Sequence, residues 1–197
     1  MNHPAASGIR WVSAGGDPIG PEIDRSVIDR ARAGDLDAFE LIVRARMDAV
    51  YRLTAAILGD EADASDAAQE TFIVAWRQIG RLRDADRFDA WIQRVAVNAA
   101  RMTMRARSRR RVREIRSSEV ASLDGMRATP SADAGILDQA LRGLAVDQRA
   151  ILVLHHLDGQ PLTELALIFD IPVGTAKSRL FAARRALDAR LRAEGSE

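Results

Sequence analysis

The stretch "LTELALIFDIPVGTAKSRLFAARRAL", residues 162–187, decides the architecture of this chain. Its first eight residues read as an apolar helix, "DIP" is a turn containing Pro172, and the remainder reads as a second helix. In that second helix Val173, Ala176, Leu180, Ala183, Leu187 and then Leu191 recur at steps of three and four, forming one apolar stripe. Gly174, Lys177, Ser178, Phe181, Arg184 and Arg185 form a second row at the same spacing. Ala176 and Ser178 are two residues apart, about 200° around a helix, so the second row is predicted to face solvent. Phe181 is then exposed among cations and a hydroxyl, close to the single lysine of a chain with twenty-eight arginines. Such a mixture suits a DNA groove, where cations meet phosphates or guanine edges and an apolar group meets a thymine methyl. A solvated, arginine-rich terminal helix with one stray Phe would look the same in isolation. The helix, short turn and helix have the spacing of a helix-turn-helix unit, whose second helix enters the major groove.

Outward from this unit, helical periodicity continues and no segment alternates like a strand. "LDQALRGL" (137–144) and "VDQRAILVLHHL" (146–157) read as two further short helices, the latter stopped by Asp158–Gly159. Before them, residues 117–135, "SSEVASLDGMRATPSADAG", lack periodicity and are rich in Ser, Ala, Gly and Asp, as expected of an interdomain linker. The first half holds three longer helical segments. Residues 33–60 place Phe39, Ile42, Val43, Val50, Leu53 and Ile57 on one face, and Gly59 ends that helix. The next segment turns Ala68, Phe72, Ala75, Trp76 and Ile79 inward and presents Asp66, Gln69, Glu70 and Arg77 outward. A long helix from about Asp86 to Arg113 is predicted to bury Phe88, Trp91, Ile92, Val95, Ala99 and Met102. Its neighbouring stripe carries Arg94, Asn98, Arg101 and Arg105. The fold class expected is all-α, with two small helical domains joined by a flexible linker.

The net charge of +1 conceals strong segregation. Residues 1–100 carry −4, 101–116 carry +7, 117–170 carry −5, 171–192 carry +5, and the last five residues carry −2. Two basic blocks separated by acidic material predict two contacts with a polyanion, the other surfaces being kept from binding it indiscriminately. Neither block has a broad apolar face beside its charges, which argues against a membrane surface. No apolar run approaches the length of a membrane span, and the first residues lack the pattern of a secretory signal. With no cysteine, disulfides and thiolate metal sites are excluded, and a cytoplasmic protein is expected.

Two motifs, in order, resemble one family. "DASDAAQETFIVAW" (63–76) followed by "FDAWIQRVAVNAAR" (88–101) is similar to the core of region two of bacterial sigma-70 factors. "LAVDQRAILVLHHLDGQPLTELALIFDIPVGTAKSRLFAARRAL" (144–187) is similar to region four. The short linker and the absence of other sigma regions point to the extracytoplasmic-function group. The Gly, Pro and Ser content of residues 1–21 predicts a mobile tail, and the resemblance implies region two over 22–116 and region four over 136–192, on either side of the 117–135 linker and before a short tail over 193–197. It implies that region two binds the β′ clamp helices of core RNA polymerase through Asp66, Gln69 and Glu70. It further implies that region two opens the minus-ten element of promoter DNA through Arg94, Asn98, Arg101 and Arg105. The loop "IGRLRDADRF" (79–88) occupies the place of the family's base-capturing loop, with Leu82 where relatives often have an aromatic and Arg83 beside it. Region four is implied to sit on the β flap and to read the minus-thirty-five element through Thr175, Lys177, Ser178, Arg179, Phe181, Arg184 and Arg185. Ala182 stands where some relatives have Arg, and Leu162 and Thr163 stand where the family has an aromatic and Ser before acids. No cofactor and no metal is implied. Control by a separate anti-sigma factor is expected.

Other function classes fit less of the chain. An enzyme would need a cluster of catalytic groups. The only paired histidines, His155 and His156, are adjacent and so point about 100° apart on a helix, which is poor metal-ligand geometry. There is no glycine-rich phosphate loop and no nucleophile elbow. An autonomous helix-turn-helix regulator would use the C-terminal half alone and leave the Trp76–Trp91 half unexplained. A nonspecific nucleic-acid binder would use the basic run "RSRRRVR" (107–113) but would not need its acidic flanks.

Overall fold

The computed structural model describes residues 23–117 and 135–194. The expected N-terminal tail, nearly all of the expected linker and the last three residues lie outside the described residues. The described residues form eight α-helices and two 3₁₀ turns. In the first half these are α1 (Arg25–Arg32), α2 (Leu36–Leu58), α3 (Glu61–Gln78) and α4 (Phe88–Ser117). The 3₁₀ turns Ile79–Arg81 and Ala85–Arg87 lie between α3 and α4. The second half contains α5 (Ile136–Arg142), α6 (Val146–His156), α7 (Leu162–Phe169) and α8 (Val173–Glu194).

Local chemistry sets the boundaries. The carboxylates of Asp24, Asp35 and Asp60 accept backbone N–H bonds at the N-termini of α1, α2 and α3, satisfying donors that a helix start leaves free. Gly59 ends α2 with φ of +67°, a left-handed conformation that costs glycine nothing. Asp170 ends α7 at φ of +54°, the only described non-glycine residue there, and Pro172 then separates α7 from α8. The sequence reading did not identify α1. That helix buries Ile28 and Ala31, and its Arg25 reaches Asp86 at 3.0 Å in the turn before α4.

Helices α2, α3 and α4 pack on one another, as do α6, α7 and α8. The apolar assignments hold for most positions, including Phe39, Ile42, Ile57, Phe72, Phe88 and Ile92. Two differ. Met102 is 57 % exposed, on the wall of a surface groove that α4 shares with α3; Trp76 is 37 % exposed, its ring tilted against Phe39 at 5.0 Å. A buried cation also appears where only apolar residues were expected. Arg46 on α2 is 2 % exposed and donates to Asp89, in the first turn of α4, at 2.8 Å. That pair fixes the register of the two helices.

The two halves are packed together. Helix α6 lies against α2 and α7 against α4, and the buried apolar residues form one cluster running through both halves. Arg149 on α6, 2 % exposed, donates to the carbonyl of Ile57 in the last turn of α2 and to those of Arg142 and Leu144 at the end of α5. Helix C-termini leave carbonyls unsatisfied and carry partial negative charge, so one guanidinium closes two helix ends, one in each half. Burial lowers its pKa to about 10, with Arg142 adding repulsion, and it remains a cation at neutral pH.

Asp158, in the turn after α6, gives a measurable signature. Burial pushes its carboxyl up to about 6, and Arg52 on α2 only partly offsets this. A carboxyl with a raised folded pKa holds its proton more tightly folded than unfolded. Its contribution to stability is therefore full below about 4 and is lost as pH rises through about 6. Asp158→Asn is expected to remove a penalty of about 2 kcal/mol at pH 7.5, raising Tm by roughly 4–8 °C. Thermal melts at pH 5 and pH 7.5 check it, the gain being larger at the higher pH.

Candidate nucleic-acid and polymerase interface

Three surfaces gather the residues singled out from sequence. The first is on α3. Asp66, Gln69 and Glu70 are all exposed in one row. Ile73, one turn further and 45 % exposed, adds an apolar side chain to the row, with Arg77 beyond it. The sequence reading passed over Ile73. Its signal was a β-branched residue at helical spacing from three polar neighbours, which a buried residue would not show. Trp76 extends this apolar strip toward Phe39.

The second surface is on α4. Asn98 is exposed, and its Oδ1 accepts from Arg101 Nη1 at 2.7 Å. Arg101 also donates through Nε to Asp147 on α6 at 2.6 Å, and its guanidinium lies 5.6 Å from the ring centroid of Phe169 on α7. Arg94, one turn before Asn98, donates to Asp170 at 2.9 Å. Arg105 is exposed beyond them, and Arg107 pairs with Asp63 on α3 at 3.2 Å. Arg94, Asn98 and Arg101 therefore share a stripe, as their spacing required. The structure corrects one assignment. Leu82 is only 8 % exposed and belongs to the apolar core, so its side chain is not presented to a base. It anchors the loop between α3 and α4, and Arg83 is the exposed residue beside it. A surface groove between α3 and α4, lined by Glu70, Val74, Gln78, Val95, Asn98 and Met102, joins the first two surfaces.

The third surface is on α8. Ala176, Leu180 and Ala183 are buried, while Lys177, Ser178, Arg179, Phe181, Arg184 and Arg185 are exposed, Phe181 at 62 %. The two rows separate as the 200° argument required. Thr175 is half-buried, and its backbone carbonyl accepts from Ser178 Oγ at 3.0 Å. Arg184 Nε donates to His156 Nε2 at 3.2 Å. Burial, then Arg184 and His155, hold the His156 pKa below its ordinary value, which keeps the ring neutral and able to accept that bond. His155 Nδ1 lies 2.9 Å from the Gln160 carbonyl, so the paired histidines serve the turn and the α8 row separately. Among the described residues there is no group of three His, Cys, Asp or Glu side chains placed to hold a metal ion.

Chemically, the three surfaces are an acidic and apolar strip, an amide between two guanidiniums, and a cationic row with a protruding ring. None assembles a nucleophile with a base.

Comparison with known proteins agrees in the same order along the chain. Residues 42–110 match the family profile described as sigma-70 region 2, and residues 134–187 that described as sigma-70, region 4. The chain is 32% identical over 186 residues to the RNA polymerase sigma-H factor of Pseudomonas aeruginosa, spanning 85% of this chain and 93% of that protein. It is 32% identical over 177 residues to the ECF RNA polymerase sigma-E factor of Escherichia coli, spanning 84% and 92%. Among solved structures, CnrH in complex with the cytosolic domain of CnrY matches with a TM-score of 0.62 at 26% identity, covering 86% of this chain and 97% of that one. The sigma factor RpoE of Bartonella quintana, solved with the anti-sigma factor NepR, shares the fold at a TM-score of 0.58 and 23% identity, covering 80% and 98%.

Proposed function

This chain belongs to the sigma-70 family, in its extracytoplasmic-function group, and from that premise we propose how its three surfaces divide the work of initiation. The protein is an RNA polymerase sigma factor that directs core polymerase to a set of promoters. The α3 row of Asp66, Gln69 and Glu70, with Ile73, docks on the β′ clamp helices. Arg94, Asn98, Arg101 and Arg105 on α4, with Arg83 in the preceding loop, hold the minus-ten strand as it leaves the duplex. An amide such as Asn98 both donates to and accepts from a base edge, and the flanking guanidiniums suit phosphates. The α8 row reads the minus-thirty-five element as duplex. Helices α1–α4 thus act as region two and α5–α8 as region four. The α5–α8 half also docks on the β flap. The chemistry is recognition, with no catalytic step carried by this chain.

The observation that carries this reading is the coexistence of two opposite faces on one small protein. An acidic row with an exposed isoleucine suits a basic protein partner, while a cationic row with an exposed phenylalanine suits a DNA groove. An autonomous helix-turn-helix regulator would need only the second. Reversing charge with Asp66→Lys and Glu70→Lys is expected to weaken core binding by tenfold or more while leaving Tm within about 1 °C, since exposed substitutions change stability little. Competition against a labelled wild-type chain for purified core polymerase measures it. Unchanged affinity would remove that face from the polymerase contact.

Control by a separate protein follows from the same surfaces. CnrH was solved in complex with the cytosolic domain of CnrY, and the exposed Ile73 and Trp76 beside the acidic row offer an apolar docking strip here. An anti-sigma factor seated there would compete directly with the clamp helices. The site of action is the cytoplasm, where core polymerase is found; no described helix is long and apolar enough to cross a membrane.

A further inference from the structure

We infer that His156, the last residue of α6, is a positioning residue for minus-thirty-five binding, holding Arg184 of α8 so that its guanidinium meets a backbone phosphate already aimed. The inference rests on the assignment of the α8 row to duplex DNA. Arg184 Nε donates to His156 Nε2 at 3.2 Å. A guanidinium has edges that can make paired hydrogen bonds, one formed by Nε with an Nη and another by the two Nη together. With Nε committed to the imidazole, the edge left for DNA is the Nη pair, whose fork matches two oxygens of one phosphate. Among the described residues, neither Arg179 nor Arg185 makes such a bond to a neighbouring helix. Arg184 is the arginine of the row whose direction the fold sets.

The imidazole is itself held. Its ring meets that of His155 edge to face, the centroids 4.8 Å apart and the planes at 73°. His155 Nδ1 in turn lies 2.9 Å from the carbonyl of Gln160, in the turn that leads to α7. Arg184 is thus tied through two rings to the turn that precedes the helix-turn-helix unit. To accept from Arg184, His156 must be neutral and carry its proton on Nδ1. Burial, then Arg184 and His155, favour the neutral form. The packing of α6 on α8 brings ring and guanidinium together across 28 residues of sequence.

The place of Arg184 on α8 selects a phosphate rather than a base edge. In a helix-turn-helix unit the N-terminal residues of the second helix meet the bases. Arg184 lies eleven residues after Val173, the first residue of α8, which is about 16 Å further along the axis. The major groove is about 12 Å wide, so a side chain at that height stands over a flanking strand. A mobile arginine gives up rotamer freedom when it meets a phosphate, and one already fixed does not. Fixing it is worth roughly two- to tenfold in affinity, alike for every sequence, because a phosphate carries no base information.

The test is the affinity of the full-length chain, bound to core polymerase, for a duplex that carries the minus-thirty-five element and stops before the minus-ten element. His156→Phe keeps an aromatic ring beside His155 and removes the acceptor. It is expected to weaken binding roughly two- to tenfold, equally for all base variants of the element. Its salt dependence is expected to match wild type, because the phosphate contact survives and only its placement is lost. Arg184→Ala is expected to weaken binding further and to reduce the salt slope by about 1. Adding His156→Phe to Arg184→Ala is then expected to change nothing. His156→Gln, whose side-chain carbonyl can accept from Nε, is expected to restore wild-type affinity, which a packing defect would not allow. A His156→Phe loss that persists in the Arg184→Ala chain, no recovery with His156→Gln, or a loss confined to one base pair would overturn the inference. If Lys177→Ala, Phe181→Ala and Arg184→Ala all leave binding unchanged, the assignment of the α8 row to DNA falls first and takes the inference with it. Weaker binding by Lys177→Ala without coupling between His156 and Arg184 overturns the inference alone.

Discussion

Replacing Arg149 with methionine is expected to destabilise the protein by about 3 kcal/mol, lowering Tm by roughly 6–12 °C. Methionine fills similar space but donates nothing, so the carbonyls of Ile57, Arg142 and Leu144 lose their donor together. A buried acceptor left unpaired costs its full desolvation, which exceeds the net value of the bond it lost. The Ile57 carbonyl ends a helix of the other half, so the loss falls on the junction as well as on region four. Arg149→Lys keeps the charge but has no fork to span two helix ends, and it is expected to recover only part of the loss. Thermal and urea melts of the three proteins measure it. A Tm for Arg149→Met within 1 °C of wild type would show that water satisfies these carbonyls equally well.

The second large effect lies on the α8 row. A side chain making a good base contact discriminates by about 1–3 kcal/mol at its base pair, or roughly 5- to 150-fold. Lys177→Ala and Phe181→Ala are expected to lose that preference at one or two positions of the minus-thirty-five element each. Arg179→Ala and Arg185→Ala are expected to weaken all sequences alike and to reduce the salt dependence, because a phosphate contact carries no sequence information. Arg184 is held by His156, so Arg184→Ala should act as a base or phosphate contact already placed rather than as a mobile cation. A saturation library of the element, transcribed with each variant, separates the two kinds of loss. Uniform scaling by Lys177→Ala and Phe181→Ala would show that this row does not read sequence.

Where sequence and structure agree, a single period decides the matter. The stripe Ala176–Leu180–Ala183 against the row Lys177–Phe181–Arg184 is visible in the sequence because 3.6-residue spacing alone separates the faces. The acidic row Asp66–Gln69–Glu70 is legible for the same reason. Leu82 was misread because a loop has no period to assign its side chain a direction; only the packing of the 3₁₀ turns around it turns the leucine inward. Arg46 and Arg149 were missed because a charged residue inside an apolar helix reads as a surface position. Two of their partners, Asp89 and the Ile57 carbonyl of α2, are far away in sequence. The contacts of Asp147 and Asp170 with α4 were invisible for the same reason, 46 and 76 residues separating the partners. What periodicity cannot show is how one half meets the other.

The most direct measurement of the central claim is transcription by purified core polymerase on a genomic promoter library, with and without this chain, followed by mapping of the start sites. The account predicts a restricted set of new start sites that appear only with the protein. Those sites should share a minus-thirty-five and a minus-ten element at fixed spacing, and they should disappear with Asp66→Lys and Glu70→Lys. Start sites identical with and without the protein would contradict it.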